Sequence, residues 1–321
     1  MPLFFWFFLP SLFLFYWSNQ RLIKSIVLIS QILLIKEFVL SFLILGFLSN
    51  FPNFLTALSA VFRHVPLLSL GDVLGGNIVD LTLAVAIATF FTKSGLHFQR
   101  KTINTSLIFA LFCALLPLFL MTDKTLSRGD GLVLLLTFFV YLFWLLSKKE
   151  KYQTVFLEIK DLSFFQKIKI FFKEFFLLFF SIFLLLVCIQ IIISNVIFLT
   201  EKTGFSLFFG GAILLGLLNS LPETYFAVLA ARQGREEMIL GDLFSAVVGP
   251  ATFVLGFVAF FSPFSLENFS LIFFTRLFLV LSIVAVLVFS KNDNKITKKE
   301  AVFLFFLYFL FIFFEFFRGK F

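Results

Sequence analysis

The run 217–250 places Pro222 beside Glu223 inside an otherwise lipid-compatible stretch. Proline has no amide hydrogen, so in a helix Pro222 leaves the carbonyl of Leu218 without its usual donor and free for another partner. Glu223 stands next to that opening. An ionised carboxylate near the centre of a membrane helix costs roughly 2.5–3.5 kcal/mol on insertion scales, so it is kept where it faces a polar cavity or a bound ion. The chemistry that these residues suggest is cation or proton binding inside a membrane.

The stretch has a counterpart upstream. Sliding the chain along itself by 170 residues sets Pro52 on Pro222, Ala57 on Ala227, Ala60 on Ala230, Gly71 on Gly241 and Asp72 on Asp242 without a gap. A single shared proline could be chance, but a Gly-Asp pair in the same register nineteen residues later indicates an internal repeat. In transporters such repeats bring broken helices from each half together near the bilayer midplane.

Around the two prolines the polar residues fall at helical spacing. Ser49, Asn53 and Thr56 lie three to four residues apart and share a face, with Pro52 freeing the carbonyl of Leu48. Asp80 lies one turn after Gly76, close to Asn77; Asn219, Ser220 and Glu223 flank Pro222; Ser245 precedes Pro250, which offers no side-chain oxygen. Glu223, Asp80, Asn53, Ser49, Ser220 and Asn219 are therefore the expected cation ligands. They are hard oxygen donors with two carboxylates, a set suited to Ca²⁺, Na⁺ or a proton rather than a soft transition metal. The competing reading of Asp80 and Glu223 is a structural hydrogen bond between spans. Asp72 and Asp242 are expected to open helices near an interface, capping free amides. Gly75, Gly76, Ala57 and Ala60 serve either close helix packing or the site.

The elements that position these groups follow from composition. With 61% hydrophobic and 14% charged residues, 57 phenylalanines and a mean hydropathy of +1.08, the chain is a polytopic membrane protein. Spans of about 20 residues allow roughly ten in 321 residues. They are expected near 3–30, 37–63, 68–91, 102–121, 131–146, 174–199, 205–231, 237–261, 269–289 and 301–317. Residues 1–146 form one five-helix repeat, 147–173 a basic connector and 174–321 the second repeat. An odd number of spans per half inverts the second half relative to the first. The expected fold is thus all-α, two inverted five-helix repeats, an arrangement that gives a central site two alternative openings.

Charge tests the topology independently. The connectors after spans three, five, seven and nine hold sixteen Lys and Arg, against six on the opposite side. By the positive-inside rule both termini are external and 147–173 is cytoplasmic, in a cell membrane. That connector mixes Lys with Phe, Leu and Ile, and serves either as an amphipathic strip on the inner leaflet or as a solvated linker. The net charge of +8 sits between apolar runs, so the expected partners are inorganic cations and the lipid bilayer, not nucleic acid. Cys113 and Cys188 stand alone in apolar spans, and His64 and His97 lack a second ligand at metal spacing. No nucleotide fingerprint or nucleophile-base pair is present, so neither a cofactor nor an enzyme is expected.

The paired segments resemble the alpha repeats of the sodium/calcium exchanger (cation/calcium antiporter) superfamily, whose pattern is close to G-T-S-L-P-E and then G-[ND]-x-x-G-S-N-x-x-[ND]. Here Leu48-Ser49-Asn50-Phe51-Pro52-Asn53 and Gly71 through Asp80 answer it first, and Leu218-Asn219-Ser220-Leu221-Pro222-Glu223 and Gly241 through Pro250 answer it again. The resemblance implies ten helices, a site on spans two, three, seven and eight, and exchange of Ca²⁺ against Na⁺ or H⁺. The sequence departs from the pattern where the first-repeat glutamate falls on Asn53, the first-repeat serine on Gly76 and the second-repeat acid or amide on Pro250. Glu223 and Asp80 remain as acids and could neutralise one divalent ion.

Three functions stay open. The first is a secondary antiporter in which Ca²⁺, Na⁺ and H⁺ compete for the same carboxylates, since desolvation favours the protonated form of any carboxylate left without a cation. The second is a proton or monovalent-cation exchanger. The third is a membrane protein that keeps the exchanger fold without transport.

Overall fold

A computed structural model describes residues 4–33, 50–97, 101–147, 163–234, 236–266, 269–291 and 294–318. Ser49 and Leu48 lie outside the described residues. Among the described residues, six helices are long and apolar enough to cross a membrane. Their outer faces carry large apolar side chains in the open, as on the last helix, where Phe303, Phe306, Phe313 and Phe317 are exposed while Leu304, Leu307 and Phe311 are buried. That is the pattern of a helix packed on one face and solvated by lipid on the other.

The chain forms two compact units, Met1–Leu55 with Val140–Asn195, and Thr56–Phe139 with Val196–Phe321. The first contains helix α1, Phe4–Ile32. Its other long element is most of α7, Phe164–Thr203. At 1.5 Å per residue, the 40 residues of α7 reach about 60 Å, twice a hydrocarbon core of about 30 Å. This helix begins inside the segment expected to be a connector, because 164–173 holds no breaker and repeats apolar residues at helical spacing. Arg21 of α1 donates to both carboxylate oxygens of Glu174 of α7 at 2.7 and 2.6 Å, and Ser25 donates to the same carboxylate at 3.0 Å.

The second unit is built from matched pieces. Helix α2, Phe51–Phe62, which the unit boundary divides, is answered by α10, Leu221–Arg232. Helix α3, Pro66–Val79, a π-helical turn, Asp80–Ala84 (π1), and α4, Val85–Phe91, are answered by α11, Glu236–Gly249, a π turn, Pro250–Val254 (π3), and α12, Leu255–Phe261. Each boundary recurs after 170 residues. Strand β2, Thr125–Leu126, and helix α6, Arg128–Ser147, recur as β4, Lys295–Ile296, and α14, Lys298–Arg318. Between them lie α5, Lys101–Leu120, and α13, Phe273–Lys291. Even left-handed backbone repeats, since His64 (φ 57°) answers Gly234 (φ 69°) and Lys124 (φ 68°) answers Asn294 (φ 51°).

Two short strand pairs fix which connectors share a face. Strand β1, Leu96–His97, after the third span, pairs antiparallel with β4, before the tenth. Strand β2, after the fourth span, pairs with β3, Phe264–Ser265, after the eighth. Strands cannot pair across a bilayer, so the third and ninth connectors share one side, and the fourth and eighth share one side. His97 Nδ1 also lies 2.8 Å from Glu236, and Arg232 sits 4.8 Å over the Phe91 ring, which adds the seventh connector to the odd face. The two halves are therefore inverted five-helix repeats in an all-α membrane fold.

Candidate cation site

The seventh span is not a continuous helix. Its first part is α8, Leu207–Phe209, a π turn, Gly210–Leu215 (π2), and α9, Gly216–Asn219. Ser220 then breaks the run, and α10 restarts at Leu221 with Pro222 in its first turn. Proline is tolerated there because first-turn amides have no helical acceptor. Glu223 consequently sits in the first turn of a half-helix, where unpaired amides and the dipole favour negative charge. Its repeat image, Asn53, is the third residue of α2.

Close backbone contact brings α3 against this broken span. A methyl group at Gly71 would sit 2.2 Å from the carbonyl oxygen of Phe208, one at Gly75 2.0 Å from that of Ala212, and one at Gly211 2.1 Å from that of Leu68. Glycine is the residue that lets two helices approach this far. Gly75 thus serves packing. A methyl at Gly76 would meet Ser220 Oγ at an ordinary 3.6 Å, so that position is not closed to a side chain.

The seam sets the polar groups face to face. Asn219 Nδ2 of α9 lies 2.9 Å from both carboxylate oxygens of Asp72 on α3. Ser220 Oγ lies within hydrogen-bond reach of Asp80 and 3.4 Å from the carbonyl of Gly76. Asp80 opens the π1 turn and is 4% exposed. A π turn widens the helix by one residue and is frequent at functional sites. The charges of Asp80 and Asp242 bear on Glu223, and those of Asp242 and Asp72 on Asp80.

Several buried polar atoms of this unit have no partner among the described residues. They include Asp80 Oδ1, Glu223 Oε2, Asp242 Oδ2 and both amide atoms of Asn77. An unpaired buried oxygen costs about 1–3 kcal/mol, more when charged, so a cation or proton bound by this set would offset that cost. No group of three or more His, Cys, Asp and Glu converges on one metal position among the described residues. A single ion could therefore draw on two of the carboxylates plus neutral oxygens, a shell that hard cations accept.

Of the sequence-derived ligands, Asp80, Glu223, Ser220 and Asn219 lie in the second unit, where α9 meets α3 and α10 meets the π1 turn, and Asn53 lies in the first. Asn219 is turned to Asp72. Asp72 and Asp242 do not cap helices. Pro66 takes the first helical position of α3, so Asp72 lies two turns inside, 2% exposed, and Asp242 occupies the matching place on α11. The sequence signal that pointed to them was the Gly-Asp pair common to both repeats.

This architecture defines a class, the multi-pass membrane proteins whose inverted repeats carry broken helices at their centre. Within it, the chain belongs to the sodium/calcium exchanger protein family, which it matches over residues 3–147 and 173–317. The family is one of transporters rather than enzymes. The chain is 24% identical over 321 residues to the sodium/calcium exchanger MaX1 of Methanosarcina acetivorans, covering 89% of this chain and 91% of that protein. It is 22% identical over 259 residues to the inner membrane protein YrbG of Escherichia coli (strain K12), covering 79% and 78%. Among solved structures, the sodium-calcium exchanger NCX_Mj soaked with 2.5 mM Na⁺ and 10 mM Sr²⁺ has the same fold, with a TM-score of 0.63, 21% identity, and 96% of this chain and 97% of that one covered.

Proposed function

We propose that the protein is a secondary antiporter that exchanges Ca²⁺ against Na⁺ or H⁺ by alternating access. The observation that carries the reading is the pair of sealed, unpartnered carboxylate oxygens on Asp80 and Glu223, from opposite halves of the chain and within range of each other's charge. Two carboxylates neutralise one divalent ion, and Ser220 adds a neutral oxygen, with Asn53, Ser49 and Asn219 completing the set inferred from the sequence. Water and backbone carbonyls would supply the rest of the six to eight ligands that Ca²⁺ takes. In a cell membrane, both termini would be external and 147–173 cytoplasmic, following the excess of Lys and Arg on the odd face. The likeness to proteins named sodium/calcium exchangers supports the choice of cations.

The test is ⁴⁵Ca²⁺ uptake into proteoliposomes under an imposed Na⁺ gradient and, separately, a pH gradient. Uptake in one arm names the counter-ion, and Glu223→Gln is expected to abolish it. Uptake that survives Glu223→Gln would remove Glu223 from the site. Asn53, Gly76 and Pro250 stand where the family pattern has oxygen ligands, which favours a second reading, a proton or monovalent-cation exchanger. Proton-driven ²²Na⁺ flux without ⁴⁵Ca²⁺ uptake would select it. Folded protein that moves none of these ions would be an exchanger fold without transport.

A further inference from the structure

The seventh span breaks between Asn219, which ends α9, and Leu221, which opens α10. Its ladder of backbone bonds is incomplete there. Ser220 N donates to the Gly216 carbonyl at 3.2 Å and Thr224 N to that of Ser220 at 3.0 Å, but Pro222 has no amide hydrogen to give. A side-chain contact crosses from the break to the neighbouring span, where Asn219 Nδ2 donates to both carboxylate oxygens of Asp72 on α3, at 2.9 Å each. Asp72 is 2% exposed and Asn219 7%. A bond between groups sealed in this way is costly to break, because neither partner can turn to water instead. The glycines of the same seam let the backbones close, but a glycine has no side chain with which to set register.

The internal repeat separates what the fold needs from what the site needs. Asp72 and Asp242 are images of each other, as are Asn219 and Ser49, and Glu223 and Asn53. The acid on the third or eighth span thus belongs to both halves. The amide at the position of Asn219 belongs only to the half whose broken helix carries Glu223, and the half that carries neutral Asn53 has a serine there. The difference has a physical reason. Attraction between a carboxylate and a cation falls with their separation, so a misplaced charge loses more than a misplaced neutral oxygen. Asn219 lies four residues before Glu223, about one helical turn across the break.

Building on the antiporter reading, we propose that Asp72 is a positioning residue, which holds Asn219 and through it the start of α10, so that the Glu223 carboxylate meets its cation. Asp72 itself touches no cation. The amide nitrogen of Asn219 is a hydrogen donor and cannot ligate one either, so its bond to Asp72 takes nothing from the ligand set. Ser220, the next residue, adds a longer contact to the same span, with its Oγ 3.4 Å from the Gly76 carbonyl. The break is thus registered against α3 chiefly by Asp72.

The experiment measures ⁴⁵Ca²⁺ affinity and ion-free melting temperature of the full-length protein in detergent. The variants are Asp72→Ala, Asp72→Asn, Asn219→Ser, the double variant Asp72→Ala/Asn219→Ser, and Glu223→Gln. Asp72→Ala and Asn219→Ser, the second of which copies the other half, are each expected to weaken Ca²⁺ binding about 10–100-fold, as loss of a residue that orients a ligand does. The double variant should bind no more weakly than the worse single one, because both changes remove the same brace. Asp72→Asn keeps an oxygen that can accept from Asn219 and should lose least. Arg21→Ala, a destabilising change in the other compact unit, should leave the affinity of the folded protein unchanged. Losses that multiply in the double variant would mean that the two residues act separately and would overturn the proposal. Lowered melting temperatures with wild-type affinity in both single variants would reduce the contact to a structural one and overturn it too. So would lost binding in Asp72→Ala beside normal binding in Asn219→Ser, which would make Asp72 a ligand. Glu223→Gln that binds Ca²⁺ normally, or wild type that binds none, would instead fail the antiporter reading on which the brace depends.

Discussion

At the scale of single residues, adjacent glycines do different work. Gly75 has no room for a β-carbon, whereas Gly76 has ordinary van der Waals space beside Ser220. Gly75→Ala is expected to cost about 1–3 kcal/mol, as overpacking does, and to lower the melting temperature of the detergent-solubilised protein. Gly76→Ala should leave it within error of wild type. Equal losses in both would show that the α3 seam is not the tight contact described here. The sequence distinguished neither glycine, because small residues look alike until the facing backbone is known. It did expose the acids, since a carboxylate in an apolar run is costly wherever it points. The role of Asp72 was hidden by a helix start placed at Leu68 rather than Pro66, which turned a buried acceptor into an apparent cap.

The elements show what patterning can and cannot carry. Span limits emerged within a few residues because apolar runs and breakers mark them, and α7 ran long because nothing between Phe164 and Lys173 stops a helix. The π turns left no trace, since their composition is that of the helices they interrupt. Nor did the ion pair of Arg21 and Glu174, which joins residues 153 positions apart. That pair is largely buried, at 16% and 6% side-chain exposure. Arg21→Ala would leave the Glu174 carboxylate without its counter-charge and with the Ser25 hydroxyl as its remaining partner, an expected loss of about 3–5 kcal/mol in unfolding experiments. Replacing both residues with leucine should recover most of it. A single mutant as stable as wild type would mean that the pair holds nothing.

For the whole molecule, the repeat and the charge bias were both legible, and the β1–β4 pair places the third and ninth connectors together, two of the four that the charge count grouped. The division into compact units was not, because it cuts across the chain order that the repeat follows. The faces can be checked directly. With Cys113 and Cys188 replaced, Ser265→Cys on the even face and Asn294→Cys on the odd face should react with a membrane-impermeant maleimide from opposite sides of sealed vesicles. Labelling from one side alone would refute the inverted arrangement.

A π turn is what a helix makes of one surplus residue in its ladder, and Asp80–Ala84 and Pro250–Val254 hold that surplus at the same place in each half. The widened turn is thus a feature of the repeat and not of either half alone. The two turns match in backbone and differ in charge, with an acid at the head of one and a proline at the head of the other.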